Sequence, residues 1–320
     1  MKCDERIRVA VIGGGVSCEH DVSLASAAAI RGALDPARYD VVTLTIDRDG
    51  MWRDREDRPL GLTGAAHVLR SCDVALPAVH GPGGEDGTLA ALCDLAQLPY
   101  VGSGVAAGAV AMDKWVTKLV AQAIGVATVP GHLLTAATAP SYPWTHPVVV
   151  KPVTTGSSYG VGLARDPAEL GPALEAALAL DARVLVEDVV QGREIDIAVL
   201  GLADGERIVS PALEIVVDGL FDYATKYDGH ADFRIPAALD GVAAKELAGI
   251  ALAVFDALGC AGVARIDFFL TEAGWVLNEV NTMPGFTEAS QAPKMFAAAG
   301  LPYPELLDLL VTDALRTGPR

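Results

Sequence analysis

The segment from Arg265 to Thr287, RIDFFLTEAGWVLNEVNTMPGFT, restricts this chain more than any other stretch. Two runs of β-branched and aromatic residues, Ala264 to Leu270 and Trp275 to Val280, flank the turn Glu272-Ala273-Gly274 and predict an antiparallel hairpin. Paired in this way, the strands aim Asp267, Glu279 and Asn281 at one point. Three hard oxygen donors suit Mg²⁺, which keeps some waters and takes its other ligands from a nucleotide's phosphates. Solvated carboxylates at strand ends produce the same short pattern, so the surroundings must decide between the two.

With 320 residues the chain exceeds one ordinary core and implies two or three domains. A charge of −17 opposes nucleic-acid binding, which needs a basic surface to displace counterions, so a bound nucleotide must be held by local lysines. No apolar run reaches the roughly 18 residues of a membrane span. The start, MKCDERIRVAVIGGG, passes from charges into a strand with no signal-peptide pattern, and a cytoplasmic protein without a membrane partner is expected. The 5 cysteines are scattered and never spaced CxxC, which supports neither a disulfide framework nor a zinc site.

Along the chain, Ile7 to Ile12 reads as a buried parallel strand ending in Gly13-Gly14-Gly15, with a helix from about Asp21 or Val22 to Leu34. Asp40 to Ile46 and Asp73 to Val79 continue an open α/β domain to about residue 105. GGGVSCEHDVS is not a dinucleotide fingerprint, and its glycines suit close approach of a small ligand. HGPGGEDGT, residues 80–88, follows a strand where such sheets bind ligands. The helical segment Asp113 to Ala123 carries Lys114 and Lys118, which read as solvated surface charges. THPVVVKPVTTGSSYGVGL reads as strand, Gly/Ser-rich turn, strand, with Lys151 ahead of the turn, unlike a Walker loop. Val184 to Glu187 is a further strand. Glu187 and Glu194 flank a turn at positions suited to an adenine amino group and ribose hydroxyls, or to plain surface charge. Pro211 to Val217 is a strand followed by the polar loop FDYATKYDGHADFRIP, then come helices over Gly241 to Leu258 and Pro304 to Leu315.

The ordered pieces Glu-His-Asp-Val-Ser (19–23), HGPGGEDGT (80–88), MDK (112–114), VVKP with GSS (149–158), VED…GRE (186–194), KY (226–227), RID (265–267) and NEVNTMPGFT (278–287) resemble the D-alanine:D-alanine ligases, enzymes of the ATP-grasp superfamily. The resemblance covers nearly the whole chain. It implies an α/β (α+β) ATP-grasp fold with an N-terminal open α/β domain over 1–105, a central ATP-grasp subdomain over 106–190 and a C-terminal domain with the metal site over 191–320. It implies ATP and two Mg²⁺ ions, with Mn²⁺ as a substitute, small-molecule D-amino acids as substrates, a homodimer, and a cytoplasmic role in peptidoglycan precursor synthesis and cell wall biogenesis.

By the same resemblance, Lys114, Lys151 and Lys226 meet phosphate groups, Glu187 and Val190 meet adenine, and Glu194 meets ribose. Asp267, Glu279 and Asn281 correspond to the metal ligands. Glu19 takes the first substrate's ammonium beside His80, Ser157 and Tyr227 form a hydrogen-bonded set with Glu19, Arg265 and the Gly285 N–H stabilise an oxyanion, and Ser290 holds the second substrate's carboxylate. The implied reaction activates a carboxylate as an acylphosphate, which an amine then attacks.

Three positions depart from the family's usual residues: Tyr159 stands for a valine, Gln291 for leucine or methionine, and Ala292 for a larger side chain. They bear on the second substrate, with Tyr159 a candidate to refill space at Ala292. D-Ala-D-Ser, D-Ala-D-lactate or a specialised-metabolite dipeptide are the alternative products. A nucleotide-binding protein without catalysis is the alternative from another class.

Overall fold

The computed structural model describes residues 6–216 and 232–319. The N-terminal unit is a four-stranded sheet built from β1 (Ile7–Gly14), β2 (Tyr39–Ile46), β3 (Trp52–Arg53) and β4 (Val74–Pro77) in the order β3-β2-β1-β4. β1 pairs in parallel with β2 and β4 and is fully buried from Val9 onward, as an apolar run covered on both faces must be. Helices α1 (His20–Ala33), α2 (Gly61–Leu69) and α3 (Thr88–Ala96) supply the crossovers, and the loops after β1 and β4 emerge at the carboxyl ends of their strands.

Helices α4 (Val105–Met112) and α5 (Lys114–Ala123) follow. The Asp113 carboxylate caps α5 by accepting from the Val116 N–H at 3.0 Å and is held by the Arg183 guanidinium at 2.6 Å, so Lys114 stands at the first helical position. The next layer is an antiparallel sheet of β5 (Gly131–Thr135), β6 (Val148–Pro152), β7 (Gly162–Ala164) and β8 (Arg183–Asp188), ordered β5-β8-β6-β7 and covered by α6 (Pro167–Leu178). Asp166 caps α6 by accepting from Ala168 and Glu169, with Pro167 opening the helix.

The last sheet holds β9 (Arg193–Gly201), β10 (Arg207–Val209), β11 (Leu213–Val216), β12 (Asp232–Arg234), β13 (Gly262–Thr271) and β14 (Gly274–Asn281) in the order β12-β11-β9-β13-β14, with β10 on β9. α7 (Gly241–Ala257) packs on it through Leu247, Ala251, Val254 and Phe255. Ala111, Ala121 and Val126 belong to the same apolar cluster, so α4 and α5 pack with this sheet rather than with the β5-β8-β6-β7 sheet. The closing helices α8 (Gln291–Ala298) and α9 (Tyr303–Thr317) return to the N-terminal unit, where Met295, Phe296, Leu306 and Leu310 share a core with Val9, Val11 and Ile30. The expected hairpin, the first strands and the helices expected from Gly241 and Pro304 are all present, whereas α2, α3, α4, α6 and α8 were not expected from the sequence.

Candidate active site

Antiparallel register places Asp267 directly opposite Glu279 and Arg265 directly opposite Asn281, so all four side chains share one face of the β13–β14 hairpin. On the other side of β13 the residue paired with Asp267 is Asp196 of β9. Arg265 answers this row of acids. Its Nε and Nη2 donate to the two Asp267 oxygens at 2.7 Å each, its Nε lies 3.4 Å from Asp196, and Nη1 donates to Gln291 Oε1 at 2.6 Å. Burial alone would lower the pKa of Arg265, but Asp267, Asp196 and Glu279 outweigh it and hold the guanidinium charged well above its ordinary range. Asn281 Nδ2 donates to Asp267 at 3.0 Å, and Glu279 lies 3.8 Å from the Lys114 ammonium.

Two cavities meet at this hairpin. The larger, about 370 Å³, lies between the two antiparallel sheets and is lined by Lys114, Lys151, Glu187, Val190, Glu194 and Glu279. At its floor the Glu187 carboxylate is buried between two lysines: Oε2 meets the Lys151 ammonium at 2.5 Å and Oε1 meets that of Lys118. The two ammonium groups outweigh the desolvation of Glu187 and keep its carboxyl below the ordinary range. Lys151 also donates to Asn278 Oδ1 at 3.3 Å, and Lys114 to the Thr155 carbonyl at 2.6 Å.

The smaller cavity, about 200 Å³, is lined by Glu19, His80, Glu85, Ser157, Arg265 and the 281–291 loop with Gly285, Ser290 and Gln291. Glu19 Oε1 accepts from the Ser157 hydroxyl, while Oε2 is buried with no partner among the described residues. Glycine makes room for that carboxylate: a Cβ on Gly81 or Gly156 would lie 2.4 or 2.1 Å from Oε2. Ser157 and Ser158 both adopt left-handed backbone, at φ 51° and 55°, which aims the Ser157 hydroxyl back at Glu19. His80 is buried and, through desolvation, held neutral. Its Nδ1 is 2.8 Å from the Met283 carbonyl, which can only accept, so Nδ1 carries the proton and Nε2 accepts from Ser26 Oγ at 2.8 Å. Ser26 Oγ in turn accepts from the Phe286 N–H at 3.1 Å, which ties α1, the 80–88 loop and the 282–287 loop together.

The residues 130–312 match the family model described as D-ala D-ala ligase C-terminus, and 8–65 and 56–103 match the one described as D-ala D-ala ligase N-terminus. A D-alanine–D-alanine ligase of Mycobacterium sp. (strain KMS) is 40% identical, with 98% of each chain covered. The chain belongs to the D-alanine–D-alanine ligase family. Among solved structures, the VanG D-Ala:D-Ser ligase of Enterococcus faecalis superposes with a TM-score of 0.85 at 31% identity, covering 97% of this chain and 100% of that one. The D-alanine–D-alanine ligase of Bacillus anthracis complexed with ATP gives 0.80 at 28% identity, covering 97% and 98%. The architecture is accordingly the ATP-grasp fold with an open N-terminal α/β domain.

Family resemblance had pointed to residues scattered along the chain, and the fold gathers them into two sets. Lys114, Lys151, Glu187, Val190 and Glu194 line the larger cavity, and Glu19, His80, Ser157, Arg265, Gly285, Ser290 and Gln291 line the smaller. Glu279 faces the first and Asn281 the second, two residues apart on one strand face. Lys226, Tyr227 and His230 lie outside the described residues. The Ser290 hydroxyl already accepts from the Thr287 N–H at 3.0 Å and is 2.8 Å from its hydroxyl. Tyr159 does not refill space at Ala292: its side chain is 43% exposed and does not line the smaller cavity, while Ala292 is fully buried.

Sequence reading misjudged or missed three residues. Lys118, expected on the surface, is 3% exposed and donates to the Val129 carbonyl at 2.6 Å. The signal was its position one helical turn after Lys114, on the face that also buries Thr117 and Ala121. Asp196 carried no motif, only an acid inside an apolar strand. Glu85 lies in the 80–88 loop, where its two oxygens accept from the Gly81 N–H at 2.9 Å and the Met283 N–H at 2.8 Å.

Burial first, and the charge of Glu19 second, push the Glu85 carboxyl up to about 8 against the pull of those two donors. An acid whose folded pKa exceeds its unfolded value, about 4.3, contributes stability below the unfolded pKa and loses that contribution as pH rises through the folded one. Stability is therefore expected to fall between about pH 5 and 8, with a slope from this group approaching about 1.4 kcal/mol per pH unit. Glu85→Gln, which does not ionise, should flatten that slope in denaturant titrations at several pH values. An unchanged slope would assign the pH dependence elsewhere.

Proposed function

We propose that this chain joins two D-alanine molecules into a dipeptide, converting ATP to ADP and phosphate, for peptidoglycan precursors. The observation that carries the reading is the strand face on which Glu279 and Asn281 line two adjoining cavities, one with Lys114 and the buried Lys151 and one with a Glu19 oxygen that has no partner among the described residues. The larger cavity takes the nucleotide: Lys114, Lys151 and Lys226 for phosphates, Glu187 and Val190 for adenine, Glu194 for ribose. In the smaller, Glu19 Oε2 accepts the first substrate's ammonium. Its carboxylate then faces the phosphate end of the nucleotide and attacks the γ-phosphorus, giving an acylphosphate and ADP. The second amine attacks the carbonyl carbon, Arg265 and the Gly285 N–H receive the charge on the tetrahedral oxygen, and phosphate leaves as the amide forms. Ser290 holds the second carboxylate, and Ser157 with Tyr227 holds Glu19 in place while the intermediate is shielded from water.

Asp267, Glu279 and Asn281 fit Mg²⁺ by donor chemistry. The Asp267 carboxylate accepts three hydrogen bonds of the roughly four it can take, which leaves capacity for a cation. Mg²⁺ at this site would take its remaining ligands from nucleotide phosphates and water. Two such ions, or Mn²⁺ in their place, would neutralise triphosphate charge. The chain works in the cytoplasm as a homodimer. No described helix is long and apolar enough to cross a membrane.

The test is incubation with ATP, Mg²⁺ and D-alanine, following phosphate release and identifying the product by mass spectrometry. Phosphate release that ignores D-alanine, or no dipeptide, rejects the proposal.

A second reading, acceptance of D-serine at the second position, is favoured by Gln291. With Oε1 taken by Arg265 at 2.6 Å, its amide N–H donors are left to face the smaller cavity, where a hydroxyl-bearing side chain can accept them. Gln291→Leu is expected to lower the kcat/KM ratio of D-serine to D-alanine by about ten- to a hundredfold, the size of one pocket contact. An unchanged ratio in a substrate competition assay removes Gln291 from specificity.

A further inference from the structure

Lys118 is buried behind the wall of the larger cavity, while Lys151 and Glu187 line it. Its ammonium holds Glu187 Oε1 and the Val129 carbonyl, and the other Glu187 oxygen is 2.5 Å from Lys151. The three charged groups, with side-chain exposures of 4%, 9% and 3% for Lys118, Lys151 and Glu187, make one dry cluster of two cations and one anion. Its net charge is positive. If the cluster held only Lys151 and Glu187, it would be a closed neutral pair, and Lys151 would present little field to an anion in the cavity.

We infer that Lys118 is a positioning residue for the nucleotide's phosphates: by engaging Glu187 from behind, it leaves the Lys151 ammonium charged toward the cavity. This rests on the nucleotide reading of the larger cavity. Burial pulls the Lys118 ammonium below its ordinary range and Glu187 opposes that pull, so the second charge is maintained by the same carboxylate it serves. Lys151 has three N–H donors. One goes to Glu187 and one to Asn278, and the third is available to a phosphate oxygen.

The consequence is specific to charge. Lys118→Met keeps the aliphatic stem and loses the cation, so affinity for ATP and ADP should fall by at least about tenfold. Adenosine carries no phosphate, and its inhibition constant should change less than about twofold, because the base and ribose contacts remain. KM for ATP should rise by the same factor as the ATP dissociation constant while kcat at saturating ATP stays within about threefold. Lys118→Arg should restore ATP affinity to within about threefold, since the charge is regained.

The decisive arm is the double variant Lys118→Met/Glu187→Gln. It removes one cation and the anion together and returns the cluster to the net charge of the native protein, with Lys151 again unneutralised. Measured as the ratio of ATP to adenosine affinity, the double variant should recover most of what Lys118→Met loses. A lysine that merely props the wall predicts the opposite, a double variant worse than either single one. The proposal is overturned by ATP affinity unchanged in Lys118→Met, by parallel loss of ATP and adenosine, or by no recovery in the double variant. Should Lys118→Met fail to fold, the double variant and Lys118→Arg decide by the same ratio. If the native protein binds no adenine nucleotide at all, the nucleotide reading falls and this inference falls with it; native binding with an unaffected Lys118→Met removes the inference alone.

Discussion

Arg265→Met is expected to lower folding stability by about 3–5 kcal/mol and to remove dipeptide synthesis. The guanidinium is buried, forks both oxygens of Asp267 at 2.7 Å, and lies 3.4 Å from Asp196, which pairs with Asp267 across the β9–β13 ladder. Taking the cation away leaves two carboxylates facing each other across neighbouring strands in a dry sheet. The penalty should shrink toward about pH 4, where a carboxyl can take up a proton instead, and this dependence separates lost charge from lost packing. Arg265→Lys keeps the charge without the planar fork and should recover part of the stability but not the rate, because the proposed oxyanion donor is shortened. Urea denaturation of the three proteins at pH 4 and pH 7 checks this. A methionine variant as stable as the native protein at pH 7 would show that Asp196 and Asp267 are not held as a charged pair.

Glu279→Gln should lower kcat by at least about 10³-fold while changing stability by less than about 1 kcal/mol. Its side chain is 21% exposed and lies 3.8 Å from the Lys114 ammonium. Its position directly opposite Asp267, at the join of the two cavities, is where the proposed phosphate and metal charges would be balanced. Asp267→Asn looks equivalent in the sequence but is not in the structure. It breaks the fork with buried Arg265 and should lose stability together with rate. Phosphate release by Glu279→Gln within about tenfold of the native enzyme would remove Glu279 from the reaction.

The legible parts of the site share a property: each is carried by a local pattern. The hairpin of Ala264 to Val280 is written in alternation and a Gly-containing turn, and once it pairs in register Asp267, Glu279, Arg265 and Asn281 must share a face. The glycine loops were recognisable because only small residues let Glu19 Oε2 lie against Gly81 and Gly156. Less legible were residues whose meaning depends on a distant partner. Lys118 looks like any lysine on an amphipathic helix until Glu187 of β8 is brought beneath it. Glu85 is one of two acids in a polar loop until the Met283 N–H, 198 residues away, arrives at 2.8 Å.

By itself, then, the sequence determined the hairpin, the first strands and the helix from Gly241, because periodicity and turn chemistry act over a few residues, while its resemblance to the D-alanine–D-alanine ligases pointed to most of the residues that line the two cavities. Only the tertiary structure decided which charges are buried and what each one holds. The closing helices α8 and α9 return to the first sheet and share its core, and His80 meets the Met283 carbonyl across 203 residues. Burial is a property of two surfaces meeting, and desolvation then turns an ordinary lysine or glutamate into a group that needs a partner. That is why Lys118, Glu85 and Asp196 acquire their roles in the folded protein; Tyr159, a candidate to refill the space at Ala292, is instead 43% exposed and does not line the smaller cavity.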